Sequence, residues 1–202
     1  MGRGSSVPGG RGSRRGRPGG GGRGFTLIEM LTTVALLIIV LGLMVSLARY
    51  VRRRSAEELT RRILVNLHTA MLDYVQQGGT TGQPAPAPGF EPLMDPKESK
   101  PADETELQRR ALINNRQFVQ FFRARKGLPN KAFRDLPLSI YDEATVRDAW
   151  GTPIVFMPGM HRQIGMAPGN EWFFFSAGPD RQYLTRDDNQ YSYEALGAVE
   201  RR

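Results

Sequence analysis

Residues 24 to 47 set the terms for the rest of the chain: a glycine, then one long apolar run. The stretch opens Gly24-Phe25-Thr26-Leu27-Ile28-Glu29, continues through Met30-Leu31-Thr32-Thr33 and reaches an apolar core from Val34 to Val45. From Phe25 to Leu47 there are 23 residues with one charge, Glu29. A helix rising about 1.5 Å per residue would carry them roughly 35 Å, enough to cross a bilayer core of about 30 Å. A carboxylate at the centre of such a span costs about 2.5–3.5 kcal/mol, and less near an end. Glu29 lies about one and a half turns from Gly24. Two readings follow: it snorkels to the headgroups, or it meets a positive partner inside the membrane. A cut after Gly24 would create such a charge, the α-amine of Phe25. On one helix Glu29 lies beneath that amine, so a neighbouring subunit offers the better geometry.

The net charge of +8 invites a nucleic-acid partner, but its distribution argues against one. Residues 1–24 carry six arginines and no acid, and residues 49–77 carry six arginines against Glu57, Glu58 and Asp73. Residues 78–202 balance at sixteen basic and sixteen acidic side chains. The basicity therefore flanks the apolar run, and the remainder is neutral. Residues 1–24 are Gly/Arg/Ser/Pro and cannot bury a core. They read as a cytoplasmic leader held inside by its positive charge, with Arg/Gly binding of nucleic acid as the alternative. No cysteine is present, so the fold closes without disulfides.

The helical pattern continues beyond the span. Leu59, Ile63, Leu67, Ala70 and Tyr74 recur at spacings of four, four, three and four, flanked by Leu64, Met71 and Val75. This is an amphipathic stripe, and Gly78-Gly79 stops it. Phe25 to Gln77 can thus form one helix, half apolar all round (25–47) and half amphipathic (48–77). Residues 78–102 form a Pro/Gly-rich loop. Asp103 with Glu106 suggests a cap for a helix burying Leu107, Ala111, Leu112, Phe118, Val119 and Phe122, ended by Gly127 and Pro129. A short helix is expected over Lys131–Leu136, halted by Pro137. Strand texture follows Asp148-Ala149-Trp150-Gly151-Thr152-Pro153: Ile154–Met157, then Trp172–Ser176 buried on both faces, then Gln190–Tyr193. The fold class is α+β, a long helix with a small antiparallel sheet.

After the aromatic strand come Ser176-Ala177-Gly178-Pro179-Asp180 and then Asp187-Asp188-Asn189. Three carboxylates in one loop repel unless solvated or neutralised by a cation, and calcium takes six to eight oxygens. The spacing is not that of an EF-hand, and turn-forming Asp and Asn account for it equally well. His68 and His161 lack a cysteine or carboxylate constellation, so both read as structural and no enzyme is expected.

The hexapeptide Gly24 to Glu29, set ahead of an apolar helix, resembles the class III signal of type IV pilins and type II secretion pseudopilins. In that family a membrane-embedded prepilin peptidase cleaves after the glycine and N-methylates the new first residue. The glutamate then pairs with a neighbour's amino terminus. The resemblance implies cleavage at Gly24, methylation of Phe25 and an assembly role for Glu29. Trp150-Gly151-Thr152-Pro153, the aromatic strand, Ser176-Ala177-Gly178 and Asp187-Asp188 are similar to the carboxy-terminal half of the major pseudopilin. There calcium replaces a disulfide, which implies Asp180, Asp187, Asp188 and the Ala177 carbonyl as ligands. Pro179 and Arg181-Gln182 depart from the family's more glycine-rich loop, and the leader is longer than the family's most common form. The resemblance implies a pilin-like fold in a homo-oligomeric filament of a type II secretion-like system. It also implies a single inner-membrane span with residues 103–202 in the periplasm, and an assembly platform and minor pseudopilins as partners. A pilus or DNA-uptake subunit is the variant within the family. A secreted binding domain cut after Ala48, within Ser46-Leu47-Ala48, is the alternative outside it.

Overall fold

The computed structural model describes residues 25–77, 88–95, 98 and 103–199. The leader with Gly24, the Gly78-Gly79 stop and most of the 78–102 loop lie outside them. In chain order the elements are α1 (Leu27–Gln77), α2 (Glu104–Arg123), α3 (Leu128–Ala132), β1 (Val155–Met157), a 3₁₀ turn (Pro168–Asn170), β2 (Phe173–Ser176), β3 (Gln190–Tyr191) and α4 (Ser192–Val199). The class is α+β, with a three-stranded antiparallel sheet in the order β1-β2-β3.

The chain divides into two units, one ending at Ser46 and the other running from Leu47 to the carboxy terminus. In the first, every described residue is exposed, from Phe25 through Ser46. From Val34 to Val45 it carries no polar side chain to turn toward water. The apolar part of α1 is the one candidate membrane span among the described residues.

The second unit is built around the sheet. Alternate residues of each strand face opposite sides, which sorts the aromatics into two clusters. Phe156 and Phe174 join Ile63, Leu64, Leu67 and Met71 of α1 and Phe118 and Phe122 of α2. Val155, Met157, Phe173 and Phe175 point the other way, with Leu93, Leu107, Tyr183 and Tyr191. β1 and β2 are thus buried on both faces, as their unbroken apolar sequence requires. The predicted α1 stripe is the buried one, with Leu59 and Tyr74 packed at its ends.

α2 serves both clusters. Its first half buries Leu107 and Ala111 in one, its second half Phe118, Val119 and Phe122 in the other. Between the halves lie Asn114 and Asn115, both fully buried. Asn114 accepts from Phe156 N (2.8 Å) and donates to Phe156 O (2.9 Å) and Glu91 O (2.7 Å). Asn115 accepts from Val146 N (3.0 Å) and donates to Val146 O and Ile154 O (2.7 Å each). The helix crosses the free edge of β1, and two side-chain amides occupy the backbone groups a further strand would have paired.

Several sequence expectations are corrected. The short helix begins at Leu128, not Lys131, because Gly127 adopts φ 89° and Pro129 opens the helix rather than ending the previous one. The third strand stops at Tyr191, and Ser192 starts α4 where a longer strand was expected. Asp103 makes no side-chain cap bond. Glu106 turns instead to Arg109 (2.8 and 2.7 Å) and Arg110 (2.9 Å), which hold its carboxyl down at about 2. Leu112 is half-buried, because the inward positions beside it go to the two asparagines.

Candidate functional site

The start of α1 combines the only charge of the apolar run with a defined helix terminus. Thr26 precedes the helix, and its Oγ1 accepts from Glu29 N at 3.3 Å while its carbonyl accepts from Met30 N at 3.1 Å. Thr26-Leu27-Ile28-Glu29 is therefore one half of a capping box. The reciprocal bond, donated by Thr26 N to the Glu29 carboxylate, is not among those of the described residues, nor does any ion pair there reach it. Thr32 Oγ1 (3.0 Å) and Thr33 Oγ1 (2.6 Å) both donate to the Glu29 carbonyl. The backbone around Glu29 is thus fully engaged while its side chain stays exposed. A first-turn carboxylate is favoured by the positive end of the helix dipole. Phe25 lies ahead of the helix, 71% exposed. Gly24, the expected cleavage position, is outside the described residues. The capping role of Thr26 escaped the sequence reading, although its Thr-x-x-Glu signal was present.

The acidic loop after β2 is anchored by a residue that the sequence reading passed over. Asp148 is fully buried. Its Oδ1 accepts from Trp150 N (3.0 Å) and Thr152 N (2.8 Å), and its Oδ2 accepts from Ser176 Oγ (2.6 Å). Ser176 Oγ in turn accepts from Gly178 N at 3.0 Å. One carboxylate thereby joins the Trp-Gly-x-Pro turn to the end of β2. Burial pushes its carboxyl above the ordinary range, opposed by these hydrogen bonds. Gly178 adopts φ 71°, and a Cβ there would overlap the Asp188 carbonyl. Asn189 Nδ2 closes the loop on Tyr183 O at 3.0 Å.

The residues expected to hold calcium are not brought together as ligands. Asp180 Oδ1 accepts from Gln182 N at 2.9 Å, completing a turn of its own. Asp187 is exposed, Asp188 half-buried, and Ala177 is inside the core. No group of three metal-ligating side chains occurs among the described residues. As placed, Asp180, Asp187 and Asp188 do not converge on a common point among the described residues.

His68 sits on α1 with Nδ1 2.9 Å from Ser192 Oγ, which also accepts from Phe174 N at 3.1 Å. Its ring lies 4.5 Å from that of Trp172. Burial pushes the imidazole down from 6.5 to about 4. This histidine ties α1 to β2 and α4. His161 is buried in the β1–β2 connection, accepting from Gln163 N at 3.3 Å.

Comparison with protein-family models, with curated proteins and with solved structures finds no match to the chain.

Proposed function

We propose that the chain is a subunit of a helical filament, a pseudopilin of a type II secretion-like system anchored in the inner membrane by one span. The observation that carries this reading is Glu29: a carboxylate in the first turn of an otherwise uncharged 23-residue run, its backbone engaged and its side chain without an ion pair among the described residues. A lone snorkelling acid would not require the glycine and phenylalanine ahead of it. A processed Phe25 amine on a neighbouring copy would supply the missing cation and fix the axial register between subunits. The exposed apolar surface of residues 25–46 supports the same reading, because lipid before assembly, and other copies after it, would cover it. The globular unit would face the periplasm, and the secretion role rests on the resemblance of the Trp-Gly-x-Pro and Asp-Asp segments.

Two measurements test this. The mature amino terminus, read by mass spectrometry, should be N-methyl-Phe25. Arg49 would instead indicate a secreted domain, and Met1 a leader that persists. Glu29→Ala should insert into the membrane like the parent yet lose assembly, scored by filament yield. Normal filaments from that variant would remove the register argument.

A further inference from the structure

Four arginines follow the apolar run, and the assembly reading leaves them unused. Arg49, Arg52, Arg53 and Arg54 are all exposed, as are Tyr50 and Val51 among them. Of the four, Arg53 alone has a carboxylate partner among the described residues, Glu57 at 3.3 Å. Arg54 Nη1 donates to Tyr50 Oη at 3.2 Å. Positive charge therefore collects, largely uncompensated, within seven residues of the end of the span.

The angular spread of these side chains points to the kind of partner. At about 100° per residue, the four positions cover roughly 200° of the helix circumference. A contact with one rigid neighbour uses a stripe, as Ile63, Leu64, Leu67 and Met71 do farther along the same helix. A collar suits a partner present on every side, and beside a membrane span that partner is the headgroup layer. Guanidinium groups bind phosphate oxygens in a two-pronged geometry, and tyrosine favours the same interface. Two hollows open along this stretch. One of about 680 Å³ is lined by Tyr50, Val51, Arg54 and Glu58, and one of about 290 Å³ by Tyr50, Arg53, Arg54 and Glu57. Each sets a ring or apolar wall beside guanidinium groups. Basic residues on the translocated side of a span also oppose the usual inward bias, a cost that anionic headgroups there would offset.

We propose that Arg49, Arg52, Arg53 and Arg54, with Tyr50, form a collar that binds the phosphate groups of anionic phospholipids at the membrane face next to the globular unit. This rests on the membrane-span reading above. The collar would seat the span at a fixed depth and hold the subunit in the bilayer until assembly withdraws it.

The test uses the full chain in mixed phosphatidylcholine and phosphatidylglycerol bilayers, with native mass spectrometry of the lipids that stay bound on release. Phosphatidylglycerol should be retained several-fold over phosphatidylcholine. Arg49→Gln, Arg52→Gln, Arg53→Gln and Arg54→Gln together should bring the ratio close to that of the bilayer. The corresponding four Arg→Lys changes should keep the part of the preference that charge alone supplies and lose the two-pronged part, while Arg116→Gln with Lys126→Gln on the globular unit should keep it whole. A preference that survives the fourfold Gln variant, or none in the parent, overturns the collar. If the parent stays embedded through an alkaline wash, the span reading survives that failure. If the wash strips the parent from the bilayer, span and collar fall together.

Discussion

Asn115 shows at the scale of one residue how this fold is closed. A buried backbone donor or acceptor without a partner costs about 1–3 kcal/mol, and this one amide serves Val146 N, Ile154 O and Val146 O, the last of which also accepts from Ile154 N. Asn115→Ala should therefore lower stability by about 2–4 kcal/mol, read from urea unfolding of the full chain in detergent. Gln108→Ala, at an exposed position of the same helix, should stay within about 0.5 kcal/mol. A change of similar size in both variants would mean the edge is held by apolar packing instead. These asparagines illustrate where sequence reading stops. The apolar stripe around them was legible as Leu107, Ala111, Phe118, Val119 and Phe122. Two adjacent amides within the stripe look like a break in it, because their value lies in backbone groups 23 to 42 residues away. Asp148 is the same case, a carboxylate whose partners are a turn and a strand end.

At the scale of elements, periodicity carried most of the reading. The second half of α1, the start and buried face of α2 and the first two strands are where their apolar spacing placed them, within a residue or two, while α2 ends at Arg123, ahead of the expected Gly127. The misplaced elements are those set by single backbone conformations: α3 by the left-handed Gly127, and the end of β3 by Ser192, whose hydroxyl serves His68 and Phe174. The acidic loop depends in the same way on Gly178, which needs both a positive φ and the absence of a Cβ. Gly178→Ala should open the connection between β2 and β3 while leaving the sheet core in place. Trypsin should then cut after Arg181 and Arg186 several-fold faster than in the parent, with α2 still protected. Unchanged cutting would show that the loop tolerates the Cβ by shifting Asp188. The same digestion in calcium and in chelator reads a cation directly. Slower cutting in calcium would assign Asp187 and Asp188 a ligand role that their present placement does not give them.

For the whole molecule, the groups with displaced proton affinities define an acid response in two stages. Burial holds the His68 imidazole at about 4 in the folded chain against 6.5 in the open one. The unfolded chain therefore binds the extra proton between those values, and stability falls as pH drops from about 6.5 to 4. The displacement corresponds to at most about 3 kcal/mol. Glu106 acts lower: Arg109 and Arg110 hold it at about 2 against 4.5, so its contribution is lost only below pH 4.5. Asp148 pulls the other way, since burial raises its carboxyl and the folded chain takes up that proton first. Glu194, likewise raised by burial, opposes the decline as Asp148 does, so the loss in the upper stage is carried by His68 and can be isolated. Melting temperature should decline from pH 6.5 to 4, and His68→Gln should flatten that interval while leaving the decline below it. Because the imidazole lies 4.5 Å from the Trp172 ring, its protonation in the folded chain should also alter indole fluorescence with a midpoint at about 4, and the variant should lose that step. An unaltered melting profile in His68→Gln would assign the upper stage to other groups and leave His68 as a packing residue alone.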